Sequence, residues 1–184
     1  MTLESSSSRK STGLLYGLIN GGAGIAFTVI LYLGGAKMFV SPVAWLGILI
    51  PITVAVIGGL QYRKQSGGYL EFTEALKLTF MILVIGAFLA TVFQHVLFNY
   101  IDTPFRQALN QASAEKVESM MRRMGASEEQ IDKATEETLS TNNYTIARLL
   151  LVFAIGCIMW FIVALIISAI IKRKAEPFEN SFNS

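Results

Sequence analysis

A chain of 184 residues with 53% hydrophobic side chains, 15% charged residues and a positive mean hydropathy is too apolar for an ordinary soluble domain of its length. Its net charge of +2 gives no reason to expect a nucleic-acid partner, and a single cysteine, Cys157, excludes an intramolecular disulfide. Four apolar stretches, Gly13 to Ala36, Val40 to Leu60, Ala75 to Tyr100 and Ile146 to Ile171, are each long enough as helices to cross a hydrocarbon core of about 30 Å. In lipid each backbone amide and carbonyl must be paired within its own segment. The pattern therefore predicts an all-α, polytopic membrane protein: one integral domain over residues 1–184, with four transmembrane helices at about 13–36, 40–61, 75–101 and 146–171.

Ser5 to Lys10 is a polar, basic leader in front of the first span. A cleaved signal peptide is the rival reading, but the apolar stretch is too long for a signal core and turns straight into another span. Within span one, Gly17 and Gly21 make a GxxxG step, and Gly22 with Ala26 makes a second small-xxx-small step. Both allow close helix approach, with a helix of the same chain expected as partner and a second copy as the alternative. These glycines lack the spacing, the preceding strand and the lysine of a phosphate-binding loop.

A tight turn at Lys37 and Met38 leads to Ser41-Pro42, a suitable N-cap and first-turn proline for span two. Pro51 falls near the middle of that span, where its missing amide predicts a kink. The link Tyr62 to Ala75 contains Gly67-Gly68 for a positive-φ turn and Thr73 as the expected N-cap of span three. Toward the far end of span three, His95, Asn99 and Asp102 recur at i, i+4 and i+7. This spacing predicts one polar face able to bind a cation, sense pH or relay a proton. With a single histidine in the chain, no metal site is expected, and no cofactor either.

The insert 102–145 reads as a helical hairpin. Pro104 opens a helix that stops at Gly125, and Ser127 with Gln130 forms a capping box for a second, acidic helix. Met120, Met121 and Met124 give the first helix an adaptable face suited to a partner helix or lipid. Asn142-Asn143-Tyr144 then returns the chain to span four, where Cys157 is expected to pack. The tails 1–10 and 175–184 are expected to be mobile. Basic clusters at Arg9-Lys10, Arg63-Lys64 and Lys172-Arg173-Lys174 all fall on one side. That side should be the cytoplasm, with both termini inside and residues 102–145 in the periplasm of a bacterial inner membrane.

A basic end to span two, Gly-Gly, an aromatic, then Phe72-x-Glu74-Ala75 resembles an uncharacterised four-pass inner-membrane family of Bacteroidetes (domain of unknown function 4199). Leu15 to Ile19 at the start of span one and Tyr100-Ile101-Asp102-x-Pro104 at the exit of span three carry the same resemblance over nearly the whole chain. It implies topology and source, and brings no catalytic or binding residue with it. Lys77 and Arg148 lie near span ends where they can snorkel, and the centre of every span reads as bare of polar groups. Without HExxH, GxSxG or paired intramembrane aspartates, no enzyme is expected. The expected role is a non-enzymatic interaction or assembly protein whose partners are the lipid bilayer and a second copy or another membrane protein. The alternative is a component of a small-molecule or ion transporter or sensor using the His95 face.

Overall fold

The chain is seen in a computed structural model that describes residues 3–141 and 145–173. It is helical throughout, and the described residues contain no strand. The elements are α1 (Leu3–Leu33), a one-turn α2 (Ala36–Phe39), a 3-10 segment (Pro42–Ile48), α3 (Leu49–Gln65), α4 (Phe72–Val96), a π segment (Leu97–Ile101), α5 (Thr103–Arg123), α6 (Glu128–Ser140) and α7 (Ile146–Ile171). Four helical stretches are long and apolar enough to cross a membrane: Ser8–Leu33, Pro42–Gln65, Phe72–Ile101 and Ile146–Ile171. The return loop at 142–144, Lys174 and the tail from residue 175 lie outside the described residues.

The bundle is organised around α4, which packs on α1, α3 and α7. On α1, Gly13, Gly17 and Gly21 recur every fourth residue and face Met81, Ile85 and Leu89, which recur at the same interval on α4. A Cβ added to Gly17 would come within 2.8 Å of Ile85, and one added to Gly21 within 2.5 Å of Leu89. The glycines therefore let two backbones approach at a ridge of large side chains. Gly58 and Gly59 do the same for α3, under Tyr16 and Ile82 on one side and Ile171 on the other. The resulting core joins Ala55 and Tyr62 of α3, Leu78, Ile82 and Leu83 of α4, and Ala164, Ile167 and Ile171 of α7.

Local differences from the sequence pattern have identifiable causes. Residues 3–10, expected as a tail, continue α1 as helix, whereas that helix ends at Leu33 rather than Ala36, at Gly35 with φ 85°. Ser41 does accept a hydrogen bond from the Val43 amide at 3.3 Å, but it caps a 3-10 segment. At Pro51 span two changes helix type and does not run through as one α-helix. Pro51 stands in the first turn of α3, where a missing amide costs little, and the residues before it use the tighter 3-10 pattern, as in the Leu49 amide bonding to Leu46. Thr73 lies inside the first turn of α4, which begins after Glu71.

One end of the bundle gathers the basic clusters. Arg9 of α1 pairs with Glu74 of α4 at 3.6 Å. Arg63 donates to the Ile171 carbonyl at 3.0 Å, satisfying one of the orphan acceptors at the end of α7. Leu70 and Arg173 exchange two backbone hydrogen bonds of 2.8 and 2.9 Å, which fastens the α3–α4 link to the exit of α7.

The glycine stripe has a direct test. Gly17→Leu and Gly21→Leu should each lower the unfolding midpoint of the detergent-purified chain by an overpacking cost of about 1–3 kcal/mol or more. Gly22→Leu, at an exposed position with nothing within 4 Å of its added Cβ, should leave it unchanged. Equal losses in all three would place the partner of the stripe elsewhere.

Candidate functional site

At the end opposite the basic clusters, α5 returns across the bundle on four rings. Phe98 and Phe105 stack at 5.8 Å, Phe39 meets each of them edge-on at 5.7 Å, and Tyr32 lies 4.7 Å from Phe105. Leu97, Phe98 and Leu109 are buried there. Lys116 donates to the Val40 carbonyl and so ties α5 to the turn after α2.

The predicted polar face is divided in this region. The π segment closes with the Asp102 amide bonded to the Leu97 carbonyl at 2.8 Å, and its wider turn interrupts the helical period on which i, i+4, i+7 depended. His95 and Asn99 stay together. The Asn99 Nδ2 donates to the His95 carbonyl at 3.1 Å and lies 3.1 Å from His95 Nδ1, while its Oδ1 accepts from Arg106 at 2.7 Å. The His95 ring also meets Tyr100 edge-on at 5.6 Å.

Asp102 faces other partners. Its Oδ1 accepts from the Phe105 amide at 2.8 Å as the N-cap of α5, and its Oδ2 accepts from the Tyr32 hydroxyl at 2.7 Å. The carboxylate thus holds α5 to α1. Tyr32 and Arg106 were not picked out from sequence, and they are the residues that redirect Asp102 and Asn99. No group of three or more His, Cys, Asp or Glu among the described residues is arranged to hold a metal.

The centres of the spans are not bare. Asn20, midway along α1 and only 4% exposed, donates to the Ile82 carbonyl of α4 at 3.2 Å. Gly86 makes room for it, since a Cβ there would overlap the carboxamide. Buried Thr79 and Ser168 share a hydrogen bond of 3.0 Å between α4 and α7. Asn20 stands among the glycines of span one, a polar signal that the small-residue stripe obscured.

The remaining candidates divide the same way. Gly17 and Gly21 are used inside the chain, whereas Gly22 and Ala26 are exposed on the other side of α1. In the α5–α6 pair the Ser127–Gln130 capping box forms, Gly125 takes φ 76°, and Ile131 is buried between the helices. Arg122 bridges the two helices through Glu128 at 2.6 Å and also contacts Glu118 at 3.1 Å. Glu128 first, then Glu118, hold its guanidinium further toward the charged form than usual. Met121 is half-buried, but Met120 and Met124 are 53% and 69% exposed.

Residues 15–173 match the family described as "Protein of unknown function (DUF4199)". The chain belongs to this family. The matched region takes in most of the first spanning stretch, the other three in full and α5–α6, and it ends at Arg173, whose backbone pairs with Leu70. No curated protein and no solved structure matches the chain. This DUF4199 member is an integral membrane protein by the length and apolarity of its helices.

The division of the polar face predicts unequal mutants. Asp102→Ala removes a cap and the Tyr32 tether, costing about 1 kcal/mol at the cap, so amide exchange in the first turn of α5 should rise about five-fold. His95→Ala should leave it unchanged. Identical exchange in both variants would show that Asp102 does not hold α5.

Proposed function

We propose that this protein is a non-enzymatic assembly or interaction protein of the bacterial inner membrane, of Bacteroidetes origin, and that it engages a protein partner through the face of α5 bearing Met120 and Met124. The observation that carries this reading is their exposure on a helix that is itself firmly seated. Asp102, Lys116 and the ring cluster fix α5 over its first two-thirds, and the methionines project from its last turns without being covered by α6. Flexible, polarizable side chains on a fixed support suit recognition of an irregular apolar surface. The intramembrane polar pairs, Asn20 with Ile82 and Thr79 with Ser168, serve helix packing, which supports a role without chemistry. The transporter or sensor alternative draws on the His95–Asn99–Arg106 network alone, since Asp102 is engaged elsewhere.

Both termini are read as cytoplasmic and residues 102–145 as a periplasmic hairpin. The support is the meeting of Arg9, Arg63 and Arg173 at one end of the bundle together with the positive-inside rule. In a Cys157→Ser background, Ser119→Cys should react with a membrane-impermeant maleimide in intact spheroplasts, and Gln65→Cys only after permeabilisation. The reverse pattern would invert the topology.

The interaction reading is tested by mild-detergent purification of the tagged chain from its own membrane, with quantitative mass spectrometry. A stoichiometric partner should be retained by wild type and His95→Ala and lost at least five-fold in Met120→Ser/Met124→Ser. Undiminished recovery with the methionine pair removed sinks the proposal.

A further inference from the structure

A cavity of about 300 Å³ opens in the half of the bundle nearer α5, and its origin lies in span two. The 3-10 segment packs on α1, α2 and α3 but stands off α4 and α7. Short residues on the facing helices, Gly24 of α1 and Gly86, Ala87 and Ala90 of α4, leave the space unfilled. Phe27, Leu83 and Trp160 give it apolar walls, and no charged side chain lines it.

Asn20 lines the cavity near the middle of the bundle. Its Nδ2 is used on Ile82, and among the described residues this is the one hydrogen bond the carboxamide makes. The carbonyl oxygen, with two lone pairs, is left for whatever enters the cavity. An acceptor among hydrocarbon that goes unpaired is unfavourable, so a donor from outside the chain is favoured there. Gln94, eight residues beyond Gly86 on α4, supplies a second amide on the same cavity; at 1.5 Å rise per residue the two levels are roughly 12 Å apart. An acceptor at the inner level, apolar walls and no charge define the occupant by its chemistry.

We propose that this cavity is a binding site for a neutral, hydroxyl-bearing lipid, whose hydroxyl donates to Asn20 Oδ1 and whose hydrocarbon lies along Phe27, Leu83 and Trp160. Its volume is at the lower end for small-molecule pockets, which suits a short or single hydrocarbon chain rather than a whole phospholipid. A carboxylate or phosphate head would enter a site without a cation and face the Asn20 oxygen, so anionic lipids are disfavoured. The site is separate from the methionine face of α5, and its occupancy does not depend on a protein partner.

Trp160 reports on it. The chain has two tryptophans; Trp45 is exposed and is removed by Trp45→Phe. The full-length variant in phosphatidylcholine nanodiscs is titrated with a bromine-labelled decanol and, in parallel, with the matching bromodecane. The alcohol should quench Trp160 saturably and the alkane only in proportion to its bulk concentration. Asn20→Ala should raise the half-saturating alcohol fraction at least ten-fold. Ala90→Leu, which fills the cavity without touching Asn20, should abolish saturation, and unchanged helical circular dichroism shows that each variant is folded. Equal, non-saturating quenching by alcohol and alkane overturns the site. So does saturable alcohol quenching that survives both substitutions.

Discussion

The approach of α1 to α4 is the constraint on which the rest of the structure depends. Lipid is as apolar as the helix surfaces it covers, so burial of hydrocarbon gives helices little reason to associate, and contact must come from packing and a few polar bonds. Gly13, Gly17 and Gly21 supply the first by removing side chains where Met81, Ile85 and Leu89 stand. The Asn20–Ile82 bond supplies the second on the same interface. Once these two helices are in contact, α3 and α7 dock on α4 through Gly58, Gly59 and the Thr79–Ser168 bond. These later contacts divide the two means, α3 using glycines and α7 a paired polar group on α4.

That economy extends to the two ends. At the basic end, Arg63 and the Leu70–Arg173 backbone pair satisfy the terminal groups of α7 where the helix emerges. At the other end the four-ring cluster gives α5 an apolar seat, and Asp102 satisfies both its first amides and the hydroxyl of Tyr32. The membrane domain thus presents α5 in a defined position. Its far half, joined to α6 through Arg122 and the Gly125 turn, carries the exposed methionines beyond that seat.

The four spans, their order and the two helices between the third and fourth were legible because they rest on periodicity and length. The Ser127–Gln130 capping box was legible for the same reason, since its partners are three residues apart. The polar face on span three was not. Its prediction assumed unbroken α-helix from His95 to Asp102, and the π turn that breaks it is set by tertiary partners: Tyr32 is seventy residues away in sequence. Pro51 shows the same kind of dependence. Its position in a span suggests a kink only if the residues before it are α-helical, and they are 3-10. Asn20 was overlooked because its meaning lies in Gly86, on another helix.

The 3-10 start of span two ties these observations together. A span that began as regular α-helix at Pro42 would still lose the amide of Pro51, leaving the Gly47 carbonyl without its usual partner inside the bundle. The 3-10 pattern avoids this arrangement, and it also redirects the segment. Gly47 comes so close to Phe27 that a Cβ would approach the ring to 2.7 Å, which draws the segment onto α1 and away from α4 and α7. The change of helix type before Pro51 thus lies beside the space in front of Asn20. Asn20 reaches this space with its amide nitrogen already used on Ile82, so packing stops short at a polar side chain.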